Sequence, residues 1–205
     1  PSFKVVDQGM PPMVDAGFDF YAPQSFEDNE GRRLMIGWVG CPDATVENPT
    51  VERGWQCALT VPRQLSMHDG KLCQWPAREL EKLRGDCAHV HAGETVAEPG
   101  RLFDAVISCE GAKTVELEIR EGVTVRFADG KLTLDMGDEG YGREVRLVET
   151  GELHDLRVLS DTTLVEIFAN GGETALTSRT YSPAASTIRL LVEGTASMKF
   201  YRLAK

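Results

Sequence analysis

Hydrophobic and polar residues alternate along short stretches in the second half of the chain. Val115, Leu117 and Ile119 alternate with charged residues, a period of two that buries one face of a β-strand and leaves the other in water. A second run leads into Asp129-Gly130, and a third run follows it. Asp-Gly between two such runs indicates a two-residue hairpin, because both central residues need positive φ. Further short runs follow to the end of the chain and predict an antiparallel β-sandwich.

The first part of the chain is also rich in predicted strands, but it contains more proline, glycine and tryptophan. Buried strands are predicted at Arg33–Val39 and Cys57–Val61, and the polar loop Cys41–Gly54 between them has a length usually associated with function. Ala77–Leu83 has the only convincing helical pattern. Residues 85–100 have few strand features and are interpreted as a linker. The chain as a whole is therefore predicted to be all-β.

The balance of charges limits the classes of partner. Among 205 residues, 32 acidic and 22 basic side chains give a formal net charge of -10 at pH 7. The acidic residues are spread along the whole length, so the surface repels nucleic-acid phosphates and anionic lipid headgroups. No apolar run approaches the length that spans a bilayer. We therefore expect no nucleic acid and no membrane as partner, whereas this charge is compatible with neutral sugars.

The cysteines point to a reducing compartment. Their number is odd and none of them forms a C-x-x-C pair, which argues against both a disulfide framework and a zinc site. The five are Cys41, Cys57, Cys73, Cys87 and Cys109. We expect reduced thiols and a cytoplasmic, bacterial location.

Signatures of metal, cofactor and nucleophile sites are weak. His89-x-His91 could place two imidazoles on one strand face, but no carboxylate or thiol follows at ligand spacing. The glycines around Gly37 form no phosphate-binding fingerprint, and the four histidines give no spacing argument for a partnered nucleophile. We predict no metal site and no cofactor.

Aromatic and polar residues are concentrated in the first half of the chain. The run Phe18-Asp19-Phe20-Tyr21 places a carboxylate among three rings, and Trp38 and Trp55 flank the polar loop. Sugar sites combine flat apolar rings with groups that hold hydroxyls. A packed core in which Asp19 caps a turn has the same composition, so both interpretations stay open at this level.

Five stretches resemble, in the same order, motifs of glycoside hydrolase family 32, the family of invertases and sucrose-6-phosphate hydrolases. Together they cover almost the whole chain, although Gln64 stands where the family usually has glutamate. The stretches are DAGFDFYAPQ (15–24), GRRLMIGW (31–38), GWQCALTVPRQL (54–65), DGKLCQWPAREL (69–80) and DTTLVEIFANGGETALTSRTY (161–181).

The resemblance implies a two-domain enzyme, in which a five-bladed β-propeller with the active site precedes a β-sandwich. This chain would contain the last part of the propeller at 1–84, the linker at 85–100 and the sandwich at 101–205. The family's catalytic acids lie in W-M-N-D-P-N-G, R-D-P and E-C-P motifs, none of which occurs here. We therefore expect a C-terminal fragment of a retaining glycosidase for sucrose, sucrose 6-phosphate or short fructans. The fragment alone should be inactive, with its catalytic residues upstream.

The same resemblance implies supporting roles for four residues of the propeller part. Asp19 and Tyr21 are expected to contact the bound sugar or the acid/base glutamate of the intact enzyme. Gln24 is expected to reach the second sugar, and Trp38 to offer a ring at the rim of the pocket.

Alternative functions concern the sandwich. It is interpreted either as a fructan-binding module or as a purely structural domain that supports the propeller or mediates the formation of a homo-oligomer. Glu166 and Arg179 match strong positions of the family's sandwich and are interpreted as structural residues.

Overall fold

The structure, a computed structural model, describes residues 13–41 and 45–204, and its regular elements are almost all β-strands. The first five strands form one antiparallel sheet with the order β1-β2-β4-β5, in which β3 also pairs with β2. We call this sheet the blade, because a small antiparallel sheet whose strands follow in sequence order is the unit of a β-propeller. Its strands are β1 (Tyr21–Glu27), β2 (Arg33–Val39), β3 (Ala58–Leu59), β4 (Arg63–His68) and β5 (Lys71–Pro76).

Within residues 13–41 and 45–204, the first strand of the blade has one edge without a pairing partner. All seven residues of β1 are exposed, and among the described residues the strand pairs only with β2. An open strand edge that carries apolar side chains such as Phe26 normally needs a covering neighbour. The blade therefore has the form of one unit taken from a larger assembly of sheets. The first twelve residues of the predicted propeller part, and residues 42–44 of its polar loop, lie outside the described ranges.

The second half of the chain forms the predicted antiparallel sandwich. A five-stranded sheet has the order β12-β11-β10-β9-β17, a six-stranded sheet has the order β15-β14-β13-β8-β18-β6, and β7 pairs with β16 in a small ribbon. The strands are β6 (Arg84–His91), β7 (Thr95–Ala97), β8 (Phe103–Ser108), β9 (Thr114–Arg120), β10 (Val123–Ala128), β11 (Lys131–Asp135), β12 (Val145–Glu149), β13 (Asp155–Asp161), β14 (Leu164–Ala169), β15 (Thr174–Arg179), β16 (Thr187–Arg189), β17 (Leu191–Glu193) and β18 (Ser197–Leu203).

One large hydrophobic cluster lies between the two sheets of the sandwich. Leu117 and Val125 come from the five-stranded sheet, Ile107 and Ile167 come from the six-stranded sheet, and all four are fully or almost fully buried. The alternation in the sequence therefore predicted the buried faces of β9 and β10 correctly, whereas Val145 and Leu147 of β12 are exposed.

The predicted hairpin is also confirmed. Asp129 and Gly130 both have positive φ, at 52° and 74°, and they connect β10 to β11. This is the backbone that a type I′ turn requires.

The prediction of a linker at residues 85–100 is wrong. Residues 84–91 form β6, which pairs with β18 at the edge of the six-stranded sheet, and residues 95–97 form β7. An edge strand buries only one face, and within β6 only Val90 is fully buried, so the hydrophobic signal is short. The strand exists because β18 supplies its hydrogen-bond partners.

The short helix predicted at Ala77–Leu83 is a 3₁₀-helix at Arg78–Leu83. The other helical segments are also 3₁₀ turns, at Pro49–Arg53, Asp138–Gly140 and Asn170–Gly172. In the part of the chain that the structure describes, no helix is long and apolar enough to cross a membrane.

The blade packs directly against the sandwich. A second, smaller cluster is formed by Leu159, Phe168 and Ala175 of the six-stranded sheet, with Val61 and Trp75 of the first half packed against it. The rings of Trp75 and Phe168 meet edge to face at 6.2 Å between centroids. The two halves of the chain thus share a continuous apolar contact.

Candidate sugar site and its supporting contacts

Three of the four predicted site residues lie on one face of the blade. Tyr21 pairs with Trp38 across β1 and β2, and Gln24 pairs with Ile36. Trp38 and Ile36 are two apart on β2 and therefore point to the same face, so Tyr21 and Gln24 share that face with Trp38. We call Tyr21, Gln24 and Trp38 the candidate sugar face.

A bulge in β1 makes this arrangement compatible with the sequence. Tyr21 and Gln24 are three residues apart, which in a regular strand would place them on opposite faces. The register shifts between them, and Ala22 has a positive φ of 42°. Bulges of this kind re-aim side chains and occur often next to active sites.

The candidate sugar face combines rings with a polar group that is accessible to solvent. The rings of Tyr21 and Trp38 meet edge to face with 5.9 Å between their centroids. Tyr21 is 48% exposed, Trp38 is half-buried, and Gln24 is exposed. Such a surface offers ring faces to the C–H groups of a sugar and an amide to its hydroxyls.

Asp19, the fourth predicted residue, lies elsewhere. Its carboxylate is buried and accepts two hydrogen bonds from Arg143 of the sandwich, at 2.6 and 2.7 Å. One of its oxygens also accepts the backbone N–H of Arg179 at 2.8 Å. This placement favours a structural role for Asp19, and the predicted contact with sugar or with a glutamate stays a prediction.

A cluster of buried charges lies next to the Asp19–Arg143 pair, and the sequence did not predict it. Arg63 of β4 forms ion pairs with Asp15 at 2.9 Å and with Glu166 of β14 at 2.6 Å, and all three side chains are at most 1% exposed. Its guanidinium also donates to Gln74 and Thr177. The cluster joins the blade, the segment before β1 and the sandwich.

In this cluster, burial and the neighbouring opposite charges have opposing effects on the pKa values of Arg63 and Glu166. Burial disfavours the charged form of Arg63, but Glu166 and Asp15 outweigh it and raise the pKa of the guanidinium. Burial raises the pKa of the Glu166 carboxyl, and Arg63 opposes that rise. Asp15 and Glu166 share this one guanidinium, so removing Arg63 would leave both buried carboxyl groups without their common cation.

The residues interpreted as structural in the sandwich are both buried. Glu166 accepts the backbone N–H of Val61 at 2.7 Å in addition to its bonds from Arg63. Arg179 is 1% exposed and its guanidinium lies 5.1 Å from the Trp55 ring centroid and 5.5 Å from that of Tyr181. The sequence indicated both residues by their match to the family pattern, but it did not indicate their partners.

The histidines considered as a metal pair lie exposed on β6. Across residues 13–41 and 45–204, no group of three or more His, Cys, Asp or Glu side chains is arranged to hold a metal ion. The five cysteines are all free thiols.

Comparison with known sequences decides the family. The pattern of the glycosyl hydrolases family 32 N-terminal domain matches residues 2–76, and that of the family 32 C-terminal domain matches residues 79–204. The chain belongs to glycosyl hydrolases family 32.

Curated relatives match most of the chain but are much longer. A probable sucrose-6-phosphate hydrolase from Vibrio cholerae is 34% identical over 209 residues, which is 96% of this chain and 37% of the relative. A raffinose invertase from Escherichia coli is 36% identical over 196 residues, covering 84% of this chain and 39% of the relative. The chain thus spans less than two-fifths of each relative.

Two solved structures have the same fold. A sucrose-6-phosphate hydrolase from Lactobacillus gasseri superposes with a TM-score of 0.78 at 23% identity, over 93% of this chain and 42% of that one. An exo-inulinase from Aspergillus awamori has a TM-score of 0.76 at 20% identity, over 98% of this chain and 46% of that one. The likeness confirms the predicted all-β fold, a propeller part followed by a sandwich.

Proposed function

We propose that this chain is the C-terminal part of a retaining β-fructofuranosidase that cleaves sucrose, sucrose 6-phosphate or short fructans. The observation that carries the proposal is the candidate sugar face, which lies across the first two strands of the blade in a family 32 chain. The chain's share of its relatives' length, 37% and 39%, supports a larger enzyme. The five free thiols support a cytoplasmic location.

In this function the residues of the chain bind and orient the substrate rather than break the glycosidic bond. A retaining mechanism needs a nucleophilic carboxylate and an acid/base carboxyl roughly 5–5.5 Å apart, both open to the sugar. Asp15 and Glu166, the two carboxylates that share Arg63, are buried and paired. They are unsuited to that chemistry, which we assign to acids outside this chain.

The experiment compares fructose release by the 205-residue chain and by the intact enzyme that contains it. Sucrose, sucrose 6-phosphate and a short fructan serve as substrates. Release by the intact enzyme alone is the expected result. Turnover by the 205-residue chain itself would contradict the proposal, since none of the family's catalytic motifs occurs in it.

Substitutions on the candidate sugar face test whether its residues bind the substrate. In the intact enzyme, Tyr21→Ala and Trp38→Ala are each expected to lower kcat/KM about tenfold, the effect of losing about 1.4 kcal/mol of contact. Gln24→Ala should lower kcat/KM for sucrose more than for a fructoside with a small leaving group that is not a sugar, since Gln24 is proposed to reach the second sugar. Ser25→Ala is the control, because Ser25 pairs with Met35 and therefore lies on the opposite face of β1. Equal effects of all four changes would argue against a sugar site here.

A structural role of the sandwich is the second candidate function, and buried ion pairs between the blade and the sandwich favour it. The fructan-binding alternative has less support, because the exposed large hydrophobic residues described between 101 and 204 are Val145, Leu147 and Leu191, without an aromatic ring. Titration of the isolated sandwich with fructan distinguishes the two. Heat of binding would favour a binding module, and its absence a structural domain.

A further inference from the structure

A single arginine of the sandwich contacts the entry to β1 and the loop that follows β2. Arg143 lies between the 3₁₀ turn at Asp138–Gly140 and β12, and its side chain is fully buried. It is 124 residues away in sequence from Asp19, its main partner. The contact therefore depends entirely on the packing of the sandwich against the first part of the chain.

All donor positions of this guanidinium are engaged. Nε and Nη2 donate to the two oxygens of Asp19 at 2.6 and 2.7 Å. Nη2 also donates to Asn48 Oδ1 at 2.9 Å, and Nη1 donates to the carbonyls of Glu47 at 3.0 Å and Gly140 at 3.5 Å. A planar guanidinium holds such a set in fixed directions, which a lysine ammonium does not.

Of the two segments that Arg143 holds, the one with Asp19 leads directly to the candidate sugar face. Asp19 is two residues before Tyr21, at the entry to β1. Glu47 and Asn48 belong to the loop that follows β2, the strand that carries Trp38. Through Asp19, the position of Tyr21 relative to Trp38 is thus tied to the sandwich.

Further contacts also attach the segment before β1 to the sandwich. The segment before β1 runs along β15, where the backbone N–H groups of Ala16 and Phe18 donate to Ala175 and Thr177 at 2.8 and 2.9 Å. A Cβ on Gly17 would lie 2.0 Å from the Thr177 carbonyl oxygen, so only glycine permits this approach. The entry to β1 is therefore built on the sandwich rather than on the blade.

We infer that Arg143 is a positioning residue, through which the sandwich sets the geometry of the candidate sugar face and takes part in substrate binding. The inference rests on the proposed function. It departs from a purely structural sandwich, because it assigns to one sandwich residue an effect on KM that general loss of stability would not produce.

The test uses the intact enzyme with Arg143→Met and Arg143→Lys. Losing the contact of one displaced ring is expected to raise KM for sucrose about tenfold in each variant, with a smaller change in kcat, because binding rather than the reacting acids is disturbed. If Arg143→Met does not fold, the KM of Arg143→Lys provides the test of the role of Arg143. It keeps the positive charge but cannot reach Asp19, Asn48 and Glu47 together.

The matched control is Arg157→Met. Arg157 also holds a buried carboxylate in a two-point contact, with Asp104 at 3.0 and 2.8 Å, but both residues lie in the sandwich sheet. The one contact of Arg157 with the blade among the described residues is the Trp75 ring at 5.6 Å, on β5 at the opposite edge from β1. Asp104 stays paired with Arg84 at 2.7 Å, so Arg157→Met should lower the melting temperature less than Arg143→Met and leave KM within about twofold of the wild type. Hydrogen exchange provides a second measurement, in which residues 19–24 lose protection in the Arg143 variants alone.

The outcomes separate the two proposals. Wild-type intact enzyme that releases no fructose from any fructoside would refute the proposed function. Active wild-type enzyme, together with KM and exchange at residues 19–24 that are unchanged in Arg143→Lys, or changed equally in Arg157→Met, would overturn the role of Arg143. A selective rise in KM in the Arg143 variants would support it.

Discussion

Replacing Arg63 by methionine should be one of the most destabilising single changes in this chain. Asp15 and Glu166 would remain buried without their common cation. Removing one partner of a buried ion pair costs about 3–5 kcal/mol, a large part of the roughly 5–15 kcal/mol that keeps a domain folded.

The hydrogen bonds that Asp15 and Glu166 keep in Arg63→Met show which of the two carboxyl groups causes most of the loss in stability. Without Arg63, Asp15 still accepts bonds from the backbone N–H groups of Gly17 and Thr177 and from the Thr177 hydroxyl. Glu166 keeps one bond, from the N–H of Val61. Most of the loss therefore falls on Glu166, and Arg63→Met/Glu166→Gln should recover about 1–3 kcal/mol relative to Arg63→Met alone.

The loss should also depend on pH. Without the guanidinium, the pKa of Glu166 in the folded state rises further above its ordinary value of 4.5. A carboxyl whose folded pKa is raised destabilises the protein fully above that folded pKa, and the penalty disappears as pH falls towards the unfolded pKa. The loss in free energy of unfolding caused by Arg63→Met, relative to the wild type, should therefore be smaller at pH 5 than at pH 8.

Urea unfolding of the purified chain, followed by tryptophan fluorescence and circular dichroism, measures these free energies. Arg32→Met is the control, because Arg32 also pairs with two carboxylates, Asp28 and Glu79, but on the surface. Such pairs contribute about 0–1 kcal/mol. The reasoning is refuted if Arg63→Met costs no more than Arg32→Met, or if its cost is the same at both pH values.

Three further predictions concern other parts of the chain. Cys57 is exposed and should react with iodoacetamide at pH 8. Cys109 should react only after unfolding, because burial raises the pKa of the Cys109 thiol to about 12. Mass spectrometry of the labelled chain measures both reactions. Gly172→Ala should destabilise far more than Gly171→Ala in urea unfolding. Both residues have positive φ, but a Cβ on Gly172 would lie 1.9 Å from a backbone oxygen while Gly171 has open space. The isolated chain should self-associate through its open strand edge, and Phe26→Lys should reduce this association in analytical ultracentrifugation, whereas an unchanged sedimentation profile would argue against the edge.

The sequence alone determined the elements whose signals are local. The alternation around Val115, Leu117 and Ile119 predicted a strand with one buried face, and Asp129-Gly130 predicted the hairpin. Both signals arise within a few neighbouring residues, because the period of a strand and the φ angles of a turn are local properties. Family motifs likewise indicated Tyr21 and Trp38, which the structure brings together.

Only the tertiary structure decided the features that depend on partners far away in the chain. β6 has a weak strand pattern of its own and exists through its pairing with β18. Arg63 meets Glu166 across 103 residues and Arg143 meets Asp19 across 124. A charged residue whose partner lies in another sheet looks in sequence like any surface charge, because the free energy that holds it inside comes from a contact that exists only after the chain has folded.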